Sequence, residues 1–180
     1  MDVERSPDTG LKRLRAAAGT ILFLALAPGV VAGLIPWLLT GWREPSAPTW
    51  LQALGWVVLA VGLAVLVEAF ARFAVEGIGT PAPAAPTERL VVGGLYRYVR
   101  NPMYLAVAAV IFGQAAVLGR WLLVGYGFVF GLTVWSFVHW YEEPTLTRQF
   151  GPAYDEYLAT VPGWWPRRPR RRPTNVSTSR

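Results

Sequence analysis

The chain has 180 residues, 53% of them hydrophobic and 16% charged, with a net charge of +6, a mean hydropathy of +0.34 and no cysteine. A soluble domain usually carries about a quarter charged residues, so this balance, with nine tryptophans, points to a chain solvated partly by lipid. The lack of cysteine excludes a disulfide framework, a thiolate metal site and a cysteine nucleophile, and the single His139 cannot build a histidine-rich metal centre, so no metal site is expected.

Residues 1–15 read as a cytoplasmic N-terminal segment, and residues 16–70 as two membrane helices. Ala16 to Thr40 holds 25 residues without a charge, about 37 Å of helix against a hydrocarbon core of roughly 30 Å. Lys12, Arg13 and Arg15 precede it as they would in a signal peptide, but the apolar run exceeds the usual h-region of about 7 to 15 residues. It is therefore expected to be a retained span that Pro28 and Pro36 kink or end. Trp50 to Val67 is a second uncharged run, closed by Glu68, which either faces a pocket or pairs with Arg72 at i, i+4.

Glu76 to Pro86 is a Gly/Pro-rich loop, either a linker or a lid over a pocket. From Glu88 to Tyr104 three arginines and three tyrosines crowd ahead of the next membrane helix. Pro102 suits the first turn of that helix with Asn101 as its N-cap; Arg97 and Arg100 beside it either attract an anion or snorkel to lipid headgroups. Pro102–Gly119 and Trp121–Tyr141 are two further apolar runs split only by Arg120. They are expected to form a tight hairpin in which Gly113, Gly119, Gly125, Gly127 and Gly131 let the paired helices approach.

Glu142 and Glu143 stand at the exit of the last run. An amphipathic stretch follows, with Leu146, Phe150, Tyr154, Tyr157 and Leu158 at helical spacing. If the hairpin closes, Arg97 and Arg100 can meet the two carboxylates, as a structural ion-pair network or as a pocket for a ligand both cationic and anionic. The arginine run from Arg167 to Arg172 reads as a basic disordered tail over 167–180 that adheres to anionic lipid rather than to nucleic acid. Placing the N-terminus, residues 72–101 and the tail on one side gathers 15 of the 17 basic residues there, opposite Arg43 and Arg120, so both termini are expected in the cytoplasm. The fold expected is an all-α, polytopic membrane helix bundle of about four transmembrane helices with a C-terminal cytoplasmic amphipathic helix.

Two blocks carry a family resemblance. Leu90-Val-Val-Gly-Gly-Leu-Tyr-Arg-Tyr-Val-Arg-Asn-Pro-Met-Tyr104 is similar to a Gly-x-Tyr then Arg-His-Pro-x-Tyr element that opens a membrane helix. Glu142-Glu-Pro-Thr-Leu-Thr-Arg-Gln-Phe-Gly-Pro-Ala-Tyr-Asp-Glu-Tyr157, with Val161-Pro-Gly-Trp-Trp-Pro166, is similar to Glu-Glu-x-x-Leu, Phe-Gly-x-x-Tyr-x-x-Tyr and a closing Val/Pro signature. Their order, one hairpin apart, resembles the isoprenylcysteine carboxyl methyltransferase and phospholipid methyltransferase group of integral membrane enzymes.

The resemblance implies a methyltransferase-like core over 71–166 that uses S-adenosylmethionine and a lipophilic small-molecule or lipid acceptor. It implies a cofactor site of Gly94, Tyr96, Arg100, Asn101, Pro102, Tyr104, Glu142 and Glu143, with Arg100, Tyr104 and Glu143 as the catalytic set. Asn101 stands where the family element carries His, so a base at that position is lost; His139, one turn before the glutamates, is either a titratable group or an interface residue. One Lys against 16 Arg suggests a GC-rich bacterial genome and hence a bacterial cytoplasmic membrane, where a prenylated protein is not the expected acceptor. The alternatives are an NADPH-dependent membrane reductase, for which no Gly-x-Gly-x-x-Gly element is present, and a non-enzymatic membrane scaffold.

Overall fold

The computed structural model describes residues 26–43, 45–76 and 90–167, together with Gly19 and Leu22. The N-terminal segment, the start of the first span, most of the Gly/Pro-rich loop and the tail beyond Arg167 lie outside the described residues. Among the described residues there is no strand. Helix α1 is Leu26–Thr40, α2 Thr49–Glu76, α3 Pro102–Leu118, α4 Trp121–Phe150 and α5 Pro152–Thr160, with a 3-10 turn at Gly94–Arg97. Two stretches, Thr49–Arg72 and Trp121–Phe150, are long and apolar enough to cross a bilayer; Leu26–Thr40 and Pro102–Leu118 are apolar but shorter. Trp56, Val57 and Val61 on α2 and Phe128, Val129 and Leu132 on α4 are exposed, a surface suited to lipid and not to water.

Pro36 shapes α1 without ending it. Its ring has no N–H and would press on the carbonyl of Ala32, so the helix takes a π turn over Val30–Leu34, in which the Ile35 N–H donates to Val30 O. The carbonyls of Val31 and Ala32 are thereby released, and neighbouring helices answer both. Tyr126 on α4 donates its hydroxyl to Val31 O at 2.7 Å, and buried Gln114 on α3 donates its amide to Ala32 O at 2.6 Å. Gln114 also accepts the Trp42 indole N–H at 3.1 Å, so one polar side chain of α3 ties both the middle of α1 and the loop after it to the bundle.

The anticipated hairpin forms, with the turn at Gly119 and Arg120. Its glycines do not all serve it, however. Gly113 faces Gly55 of α2, where an added Cβ at Gly55 would lie 2.7 Å from Val117 N and 2.8 Å from Gly113 O. The close backbone approach therefore joins α2 to α3 rather than α3 to α4. Gly127 receives the Phe112 ring, while Gly125 and Gly131 face open space. The main core is built around that crossing, from Ala32, Leu66, Phe70, Val107, Val110 and Ile111.

The C-terminal part departs from a single amphipathic helix. α4 continues past the glutamates to Phe150, and the chain breaks at Gly151, whose φ of 53° and ψ of −131° suit a residue without Cβ. α5 then folds back, burying Tyr154, Tyr157 and Val161 against Leu90, Leu146, Phe150 and Leu158.

Candidate active site

The segment ahead of α3 is held from both sides. Behind it, Glu68 pairs with Arg72 at i, i+4 on α2, at 3.0 Å, the second of its two sequence readings, and the turn at Gly93–Gly94 sits directly on them. Gly94 has φ +52°, and a Cβ there would run into Glu68 Oε1 and lie 2.6 Å from Arg72 Nε, so no other residue fits without displacing the pair. In front, the chain after α5 runs alongside as a strap. Arg100 N donates to Pro162 O at 2.9 Å, Asn101 N to Gly163 O at 3.3 Å, and Arg167 N to Tyr98 O at 3.0 Å.

Asn101 does not cap α3 with its side chain as expected. Its φ of −115° and ψ of 51° leave no side-chain cap bond, and Nδ2 instead donates to Gly163 O at 3.2 Å. Buried Asn101 is thus part of the strap, while Pro102 occupies the first helical turn as the sequence indicated. Tyr157 completes the clamp by donating its hydroxyl to Tyr96 O at 2.8 Å. Burial pushes the Tyr96 and Tyr157 hydroxyls well above the usual range. Burial, reinforced by the nearby Glu143 carboxylate, brings Tyr154 up to about 12. All three remain neutral phenols at physiological pH.

The two glutamates take different partners. Glu143 Oε1 accepts from Arg100 Nη2 at 2.7 Å, with side chains 22% and 15% exposed; Arg100 Nη1 donates to Leu158 O at 3.1 Å. A charge-assisted bond this enclosed contributes about 1.5–3 kcal/mol, and removing one partner costs more because the other charge is stranded. Glu142 Oε2 accepts from the Tyr104 hydroxyl at 2.9 Å, and among the described residues no cation lies within ion-pair distance of it. Arg97, also expected to meet the glutamates, does not: it is exposed, over the Tyr98 ring at 5.8 Å, with Nε toward Gly94 O at 3.5 Å. His139 is 59% exposed and stacks on Trp135, with Nδ1 4.0 Å from Glu143 Oε2, at the rim of the cluster.

These groups form one end of a cavity of about 400 Å³, within the usual range for small-molecule sites. Arg100, Asn101, Tyr104 and Glu142 supply its polar end; Ala27, Pro28 and Val31 of α1, Leu66 and Phe70 of α2, and Phe130 and Phe137 of α4 supply an apolar wall. Of the residues singled out from sequence, Tyr96 and Pro102 also line it. Gly94 stands behind on the Glu68–Arg72 pair, and Glu143 is turned onto Arg100. Tyr154, Tyr157, Thr145, Leu146 and Gln149 line it too, though the sequence reading did not place them in the site. For Thr145, Leu146 and Gln149 the signal was helical spacing from Glu142, at i+3, i+4 and i+7; Tyr154 and Tyr157 reach the cavity from α5, beyond the break at Gly151. Arg100 Nε is buried with no hydrogen-bond partner among the described residues.

Among the described residues no group of three or more His, Asp or Glu could hold a metal ion. No curated protein and no solved structure matches the chain. A family model does, that of the phospholipid methyltransferases, over residues 50–153. The match takes in α2, the Arg100 and Tyr104 segment, the hairpin and both glutamates, more than half of the sequence, and on that ground the chain belongs to the phospholipid methyltransferase family.

Proposed function

We propose that this membrane protein transfers a methyl group from S-adenosylmethionine to a lipophilic acceptor, at the cytoplasmic face of a bacterial membrane crossed by α1 to α4. The observation that carries the reading is Glu142. Its carboxylate is held by Tyr104, lacks a cation within ion-pair distance among the described residues, and faces a cavity of about 400 Å³ whose far wall is apolar. A buried carboxylate in that position calls for a cationic ligand group.

The donor set fits the methyl donor. Arg100, Glu142 and Glu143 together carry one net negative charge, against the single net positive charge of a sulfonium, an ammonium and a carboxylate. Glu142 Oε1, the oxygen that Tyr104 leaves free, would take the cationic part; Arg100 Nε would meet the carboxylate. When bound, S-adenosylmethionine supplies a methyl already activated on cationic sulfur, so the transfer requires no nucleophilic side chain. What remains for the chain is positioning and exclusion of water. Glu143 and the Leu158 carbonyl fix the Arg100 guanidinium, Tyr104 fixes Glu142, and Asn101 fixes the strap that closes behind them. The apolar wall from α1, α2 and α4 would lay the acceptor's chain along the bundle with its head at the polar end. Residues 71–166 would then be the catalytic core, with the basic tail on anionic lipid.

Calorimetric titration of S-adenosylmethionine into the detergent-purified chain checks this, alongside Glu142→Ala/Glu143→Ala. Saturable binding that a folded double variant loses supports the reading; a monodisperse wild type that does not bind refutes it.

A further inference from the structure

α4 carries both carboxylates and is irregular at one place. Over Val138–Glu142 it makes a π turn, and the Glu143 N–H donates to Val138 O, five residues back instead of four. Pro144 follows at once. Its ring lacks the N–H and, in a regular α-helix, would collide with the carbonyl of Trp140. The same arrangement occurs independently in α1, where Ile35 N–H donates to Val30 O and the next residue is Pro36. In both helices the π turn ends two residues before a proline, the residue that lacks the N–H a regular turn would use at that point.

The turn has a rotational consequence. At 100° per residue, Gln149 in an unbroken α-helix would stand about 100° around the axis from Phe130, and Leu146 about 160°. One residue added within a turn takes back roughly 100°, which returns Gln149 into line with Phe130 and brings Leu146 to within about 60°. Phe130 before the π turn and Glu142, Leu146 and Gln149 at its end and beyond accordingly line the same cavity. Glu143 is rotated by the same amount, onto Arg100.

We propose that Pro144 is a positioning residue: the π turn that it enforces sets the register in which Glu142 faces Tyr104 and the cavity while Glu143 reaches Arg100. The inference deepens the methyl-donor reading and rests on it for its first readout only. In Pro144→Ala the helix is free to close regular α-type hydrogen bonds. Rotating Glu143 off Arg100 breaks their enclosed ion pair, so the melting temperature is expected to fall below that of the wild type, and the affinity for S-adenosylmethionine falls at least tenfold. Deleting Trp140, which is exposed, from Pro144→Ala removes the extra residue and restores the downstream register in a regular helix. Affinity should then return to within about threefold of the wild type.

A second readout needs no ligand. Melting temperatures of Arg100→Gln, Glu143→Gln and the double variant should be non-additive in the wild-type background, additive in Pro144→Ala, and non-additive again in the deletion variant. A Pro144→Ala protein with wild-type coupling overturns the proposal, as does a folded deletion variant that regains none. A wild type that does not bind the methyl donor at all refutes the donor reading, and the melting cycle still decides the role of Pro144.

Discussion

Replacing Gln114 with leucine keeps its volume and removes its polar contacts. In most helices this would be a mild change, because a backbone carbonyl already has its own N–H. Here Ala32 O lacks one, since Pro36 stands four residues on, and Gln114 Nε2 at 2.6 Å is the donor that satisfies it. The substitution also strips the Trp42 indole N–H of its acceptor at 3.1 Å. Stranding a buried carbonyl costs about 1–3 kcal/mol, and side-chain bonds between membrane helices reach at most about 1.7 kcal/mol. The expected loss is about 2 kcal/mol, equivalent to roughly 4–8 °C in melting temperature for a chain of this length. The diagnostic comparison is the same substitution in a Pro36→Ala background, where residue 36 regains an N–H for Ala32 O and the penalty should fall by about half. Differential scanning fluorimetry in detergent reads both. Equal losses in the two backgrounds would refute the link between the proline and the glutamine.

Gly94→Ala should destabilise by about 1–3 kcal/mol, mostly from a left-handed backbone that disfavours a Cβ and to a lesser extent from displacement of the half-exposed Glu68–Arg72 pair. Thermal melting checks the magnitude, and wild-type stability would contradict the packing described. At alkaline pH the buried tyrosines should loosen the C-terminal clamp. Tyr154 titrates near 12 when folded against about 10 when unfolded, so its contribution is complete below pH 10 and is lost as pH rises toward 12. Melting curves across that window should fall, and Tyr154→Phe should fall less steeply; parallel curves would contradict the assignment.

Much of the architecture is legible in the residues because lipid solvation leaves a coarse trace. Uncharged runs mark α2, α3 and α4, Arg120 alone marks the hairpin turn, and Pro102 marks the start of α3. The encounter of Arg100 with Glu143 also follows from charge, since two glutamates at a membrane exit need a cationic neighbour. What charge could not distinguish was Arg100 from Arg97, because the strap at Pro162 and Gly163 fixes the backbone at Arg100 and Asn101 and leaves Arg97 outside. That strap is a long-range backbone pairing: the Val161–Pro166 block is visible in the sequence, but nothing in it says which segment it lies against, and the pairing also diverts the Asn101 amide from the cap. The prolines at 36 and 144 announce an irregular helix, but whether the chain bends, stops or inserts a residue depends on which neighbours can serve the released carbonyls. The glycines show the same limit: Gly113 and Gly125 look alike in sequence and differ only in whether Gly55 lies opposite.

The most direct test remains binding of S-adenosylmethionine to the purified, monodisperse chain, measured by calorimetry with the Glu142→Ala/Glu143→Ala variant and with NADPH in parallel. Saturable one-site binding of the methyl donor, abolished in the folded variant and absent for NADPH, is the expected result. Silence toward the methyl donor in a folded wild type, or undiminished binding by the variant, would contradict the site assigned to Arg100, Tyr104 and the two glutamates.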